Sequence, residues 1–184
     1  IKSSAASDVY KRQLLISATG TGKTYASAFA MRELGFQRVL FLVHRNQIAK
    51  QAQKSFRKVF SGQVSMGLVT GKYQECDKDF IFATIQTLSK EENLHRYEKN
   101  AFDAIVIDEA HHSAANSYKK VLDYFEPKLW LGMTATPDKR DDNLEGRNIY
   151  EIFNHQIAYE IRLQDAMEED LLCPFHYFGI TDLD

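Results

Sequence analysis

The apolar run Leu14-Leu15-Ile16 leads into a Gly-rich loop, Ser17–Thr24, and then into an Ala-rich stretch, Lys23–Leu34. A strand that turns through glycines into a helix commits the chain to an α/β arrangement, because that helix must pack back on the sheet it leaves. Gly20 and Gly22 let the backbone curl so that amide N–H groups point inward, and the helix N-terminus adds partial positive charge. That combination binds phosphate. Ala18, Thr19, Gly20, Thr21, Gly22, Lys23 and Thr24 form the expected site for a nucleoside triphosphate. Lys23 would reach the β- and γ-phosphates, and the Thr24 hydroxyl would ligate magnesium. Ser17 stands where the GxxxxGK[ST] pattern has its first Gly, and a small residue still permits the turn.

Downstream, apolar runs alternate with amphipathic stretches. Strands are expected at Arg38–Val43, Val64–Val69, Phe80–Ala83, Ala104–Ile107 and Leu129–Met133. Helices are expected at Lys23–Leu34 with Gly35 as its C-terminal cap, and from an Asn46 cap to about Phe60. The second would bury Ile48, Ala52, Phe56 and Val59. Further helices are expected at Ile85–Glu92, Ser113–Phe125 and Arg162–Leu171, a loop at Asp138–Asn148, and a last strand at Pro174–Ile180. Strands separated by helices imply parallel pairing with right-handed crossovers. The expected fold is an α/β three-layer sandwich with a mostly parallel sheet, which binds ligands at the C-terminal ends of its strands.

Asp108-Glu109-Ala110-His111 follows the run AIVI, which is apolar on both faces and so reads as a central strand. Asp108 is placed to hold magnesium and Glu109 to orient and deprotonate an attacking water. A lone acidic pair is commonly just a solvated strand end. Lys23, 85 residues earlier, supplies the phosphate-binding partner that makes this pair a catalytic candidate. His111 is read as relaying nucleotide state through a hydrogen bond toward the nucleotide or Thr134, and His112 as a packing or surface residue. A metal role for them lacks further ligands at suitable spacing.

Composition narrows the classes. The 184 residues suit one domain. Residues 1–13 lack a clear period and read as a disordered or artefactual lead-in, leaving 14–184 as the domain. No apolar run approaches a membrane span and no secretory leader is evident. Cys76 and Cys173 are read as free thiols of a cytoplasmic protein. Net charge is −2, so any nucleic-acid contact must be local.

Together the motifs resemble the first RecA-like domain of superfamily 2 helicases and translocases, a P-loop NTPase fold, over about Leu14 to the C-terminus. They are most similar to the bacterial DEAH-type group related to the type III restriction-enzyme helicase subunit. Leu42–Arg45 looks like motif Ia, and Thr70-Gly71 and Thr84–Leu88 like the next two backbone-binding motifs. Thr134-Ala135-Thr136 looks like motif III, which couples hydrolysis to strand movement. The resemblance implies ATP and Mg²⁺ as ligands, catalytic roles for Lys23, Asp108, Glu109 and His111, and magnesium held by Thr24 and Asp108. It implies nucleic-acid contacts at Arg45, Gly71 and Thr84, with DNA ahead of RNA, and coupling through Thr134 and Thr136. Nothing before Leu14 resembles the segment that grips adenine. The second RecA-like domain and its arginine fingers are not matched within the chain, so slow turnover is expected of this piece alone. Three functions compete: an ATP-driven nucleic-acid motor, a translocating subunit of a restriction or defence nuclease, and a nucleotide-gated switch without motor action.

Overall fold

A computed structural model describes residues 11–17, 22–110, 116–135 and 157–161 of the chain. Seven described strands form one sheet in the order β3-β4-β2-β5-β6-β1-β7. They are β1 (Lys11–Ser17), β2 (Val39–Val43), β3 (Met66–Val69), β4 (Phe80–Thr84), β5 (Ala104–Asp108), β6 (Leu129–Thr134) and β7 (Ile157–Ile161). Every neighbouring pair is parallel. The helices are α1 (Lys23–Glu33), α2 (Asn46–Phe60), α3 (Ile85–Leu88), α4 (Glu91–Leu94) and α5 (Asn116–Tyr124).

From β1 through β3 the chain steps toward one edge of the sheet, and from β3 onward it steps back. Right-handed crossovers then require the helices of the two journeys to lie on opposite faces. They do. Val39, Phe41 and Val43 of β2 pack with Ala28 and Met31 of α1 and with Ala49, Ala52 and Phe56 of α2. Leu40 and Leu42 of the same strand pack on the other face with Ile85, Leu94, Tyr118 and Val121. The alternation is the period of two of a strand covered on both faces. On the α1/α2 face the phenyl rings interlock, Phe56 lying 5.5 Å from Phe41 and 5.2 Å from Phe82 in edge-on arrangements.

Several expected boundaries shift, each for a physical reason. β1 begins at Lys11, not Leu14, because its ladder with β6 runs from Lys11 opposite Leu129. The expected lead-in therefore gives up residues 11–13 to the sheet; residues 1–10 lie outside the described residues. Gly35 caps α1 as expected: its φ is +68°, its N–H donates to the Arg32 carbonyl, and the Phe36 N–H donates to Met31. This is the paired bonding of a Schellman end. Asn46 is the first helical residue of α2 and not its cap; Arg45 takes that place with extended backbone. Ile48 is 36% exposed, and Ala49 fills the buried position instead. The expected helix 85–92 is two short helices, with the Asn93 side chain bonded to the Thr87 carbonyl at their junction. β7 was not foreseen. It joins β1 with a register shift at Leu14/Leu15, an irregularity that no period of two displays. Of the helix expected at 113–125, residues 116–124 are seen. The loop at 138–148, the helix at 162–171 and the strand at 174–180 lie outside the described residues, as does Cys173. Cys76 is a free thiol. Among the described residues no helix is long and apolar enough to cross a membrane.

Candidate nucleotide site

Gly22 caps the N-terminus of α1 in a left-handed conformation, φ 78° and ψ 26°. A Cβ there would meet nothing within 4 Å. Glycine is therefore called for by backbone conformation and not by space, at about 1–2 kcal/mol for any other residue. The Ala26 N–H donates to the Gly22 carbonyl at 2.9 Å and starts the helix. No acidic side chain lies in the first turn of α1, so nothing there competes with an anionic ligand for the helix N-terminus.

β5 carries four fully buried residues and then Asp108, half-buried at the strand's end. Glu109 follows with φ +54°, a left-handed backbone rare for a non-glycine residue. Its N–H donates to Asp108 Oδ1 at 3.0 Å, and fully buried Ala110 anchors the turn from below. This strained corner turns both carboxyl groups toward one cavity of about 570 Å³, lined by Gly22, Lys23, Thr24, Asp108 and Glu109. The cavity continues past Tyr25 to Gln51, Lys54, Ser55 and Lys58 on α2. Residues 85 positions apart thus share one wall.

The sheet explains how. β6 lies between β1 and β5, so the two motifs sit two strand spacings apart, about 10 Å. Thr134 ends β6 opposite Ile16, and Met133 faces Asp108. Thr134 is fully buried at the end of the strand that separates the motifs. A hydroxyl and a carboxylate on one cavity offer hard oxygen donors, which suits Mg²⁺ completed by phosphate oxygens and water. Among the described residues no three His, Cys, Asp or Glu side chains cluster for a metal, so an all-protein cage is not what these donors would form.

Sequence reasoning passed over Tyr118. It sits on α5, is 1% exposed, and its hydroxyl has no hydrogen-bond partner among the described residues. Burial raises its pKa, and the charges of Asp108 and Glu109 raise it further. An aromatic in the first turn of an amphipathic helix gives no sign, before folding, that it will sit near two carboxylates.

The expected nucleic-acid residues occupy the other half of the same sheet edge. Arg45 follows β2 and is exposed, Gly71 is exposed in the turn after β3, and Thr84 ends β4. Thr84 itself is only 5% exposed, and its hydroxyl donates to Thr87 Oγ1 at 2.9 Å. The outward residue of that motif is Gln86, whose amide lies 3.1 Å from His44 Nδ1 and ties the loops after β2 and β4 together. Both residues fall inside the stretches that carried the resemblance, but no sequence pattern distinguished their outward side chains from Thr84. Ala18, Thr19, Gly20, Thr21, His111 and Thr136 lie outside the described residues.

Comparison with known proteins identifies the family and the fold. The family model described as the type III restriction enzyme res subunit matches residues 3–139. The putative ATP-dependent helicase IRC3 of Saccharomyces cerevisiae is 33% identical over 181 residues, covering 89% of this chain and 25% of that protein. The type I restriction enzyme EcoAI endonuclease subunit of Escherichia coli is 30% identical, covering 93% of this chain and 22% of its own length. The chain thus spans about a quarter of these curated relatives. The Pyrococcus furiosus Hef helicase domain shares the fold, with a TM-score of 0.67 at 24% identity over 82% of this chain and 35% of that one. From the glycine-capped helix, the acidic strand end and these matches, the chain belongs to the type III restriction enzyme res subunit family, as a superfamily 2 RecA-like helicase domain.

Proposed function

We propose that this chain is the ATP-binding half of a superfamily 2 motor that hydrolyses ATP to move along nucleic acid, DNA ahead of RNA, once joined to a second RecA-like domain. The observation that carries the reading is the division of one sheet edge. Lys23 opens the helix that follows β1, and Asp108 and Thr134 end β5 and β6, while Arg45 and Gly71 follow β2 and β3 and Thr84 ends β4. A change in the first group would, in this reading, reach the second through the sheet that joins them.

In this reading Lys23 and the α1 N-terminus hold the triphosphate, and Thr24 and Asp108 would hold magnesium. Bound there, magnesium would supply charge neutralisation for the transferred phosphoryl group. Glu109 orients a water and accepts its proton. Thr134, with Thr136 and His111, would pass the state of the site to the strand-holding half. Arg45 and the Gly71 turn would hold phosphates, which carry no base information, so low sequence specificity is expected.

A restriction or defence translocase is the second reading. The 30% identity to a type I restriction endonuclease subunit favours it. A strand-displacement assay run beside the ATPase assay separates it from a helicase, because translocation alone displaces no strand. DNA and RNA that both leave the ATPase unstimulated would favour a nucleotide-gated switch over either motor.

The test of the site is Glu109→Gln in the full-length protein. Nucleotide affinity should persist while hydrolysis falls about 10²–10⁴-fold, the usual contribution of a positioned base. Hydrolysis at the parent rate would remove Glu109 from the mechanism.

A further inference from the structure

Between residues 34 and 74 the chain carries Arg38, Arg45, Lys50, Lys54, Arg57, Lys58 and Lys72 and no acidic residue, although its net charge is −2. Four of these cations belong to α2. Lys50, Lys54 and Lys58 follow at intervals of four, with Arg57 beside them, so all share one face. That face is exposed, and the opposite one buries Ala49, Ala52, Phe56, Val59 and Phe60. None of the ion pairs among the described residues includes any of the four. Lys54 and Lys58 also border the nucleotide cavity, and Lys58 bonds the Tyr25 hydroxyl, but Lys50 and Arg57 do not line it. Like charges four apart weaken a helix by a few tenths of a kcal/mol each, so neither folding nor the nucleotide cavity accounts for the whole row.

We infer that the outward face of α2 is a docking surface for the phosphate backbone of duplex DNA, carrying the track from the Arg45 corner down the side of the domain. This rests on the motor reading above. Lys50 begins the row beside the Gly71 turn: its ammonium is 3.2 Å from the Tyr73 hydroxyl, and Lys72 lies 5.9 Å from the same ring. From Lys50 to Lys58 the helix rises about 12 Å, which matches about four phosphates of one strand at their axial spacing. A rigid row of cations suits a backbone of fixed spacing. Flexible single strands are held instead on aromatic platforms. α2 itself presents no aromatic residue on this face, and the two rings at its edge, Tyr73 and Tyr25, are engaged by Lys50 and Lys58.

The test uses the full-length protein, a labelled DNA duplex and a single-stranded oligonucleotide, titrated without nucleotide across a salt series. In Lys54→Gln/Arg57→Gln the slope of log affinity against log salt should fall by about 2, one unit per lost phosphate contact, and duplex affinity should drop roughly tenfold at moderate salt. Lys50→Gln/Lys58→Gln should reproduce the loss, and single-strand affinity should change less than twofold. Glutamine is a good former of exposed helix, so both variants should melt as the parent does. Unchanged duplex slope and affinity would overturn the inference, as would an equal loss on single strands or a larger one on duplex RNA. A parent protein that binds no nucleic acid at all would instead remove the motor reading on which the inference stands.

Discussion

Glu109 and Tyr118 show how individual residues depart from local rules around the site. Glu109 adopts a left-handed backbone that costs about 1–2 kcal/mol for an L-residue. That strain persists because fully buried Ala110 and the bond to Asp108 fix the turn. The Tyr118 hydroxyl is buried near those carboxylates without a partner among the described residues, and a buried unpaired hydroxyl typically costs about 1–3 kcal/mol. Tyr118→Phe should therefore leave the denaturant midpoint of the domain unchanged or raised. A drop worth more than about 1 kcal/mol in chemical denaturation would show that the hydroxyl is paired in solution.

Among the elements, β3 and the turn after it separate packing from function. A Cβ on Gly67 would collide with the Glu75 carbonyl and lie 2.7 Å from Lys78 Cγ, whereas one on Gly71 would meet nothing within 4 Å. Gly67→Ala should destabilise the domain by about 1–3 kcal/mol, the usual cost of overpacking. Gly71→Ala should melt with the parent to within about 0.5 kcal/mol while weakening nucleic-acid binding through closer crowding of the phosphate. Equal melting of the two variants, measured by circular dichroism, would contradict the close approach of the 75–78 turn to β3. The same contrast holds in α2, whose apolar face is needed for the core and whose basic face is not.

Over the whole molecule, the two ends of the sheet have different tasks. Its C-terminal edge carries the motifs, and its N-terminal edge is held by Asp103. That carboxylate accepts the N–H groups of Gln37 and Arg38 at 3.0 Å each and the Lys128 ammonium at 3.1 Å. Burial opposes its ionisation, but the backbone N–H of Arg38, the Lys128 ammonium and the backbone N–H of Gln37 outweigh it and hold the pKa below the ordinary 3.8. A lowered folded pKa means that the stabilisation is complete above the unfolded value and is lost as pH falls through the folded one. Asp103→Asn should thus cost about 1 kcal/mol near neutrality, discounted for partial exposure. The difference from the parent should vanish in acid below the ordinary carboxylate range. Nucleotide affinity should not change, because the clamp lies at the opposite edge from Lys23. A deficit that persists unchanged into acid, in urea melts at successive pH values, would assign it to packing instead.

The sequence alone determined the α/β class, the alternation of strand and helix and the glycine cap at Gly35, and it singled out Lys23, Thr24, Asp108 and Glu109 as candidates that the fold then brings to one cavity. Each is encoded within a dozen neighbouring residues, by hydrophobic period, turn chemistry or spacing. It did not determine where β1 starts, that β7 exists, which of Ile48 and Ala49 faces inward, or that Thr84 turns its hydroxyl away from solvent while Gln86 faces it. Those depend on ladders and packing between segments far apart in the chain. The strand order belongs with them. Only by placing β6 between β1 and β5 does the fold bring Lys23 and Asp108 to one cavity, gather Arg45, Gly71 and Thr84 on the other half of the edge, and leave the basic face of α2 exposed.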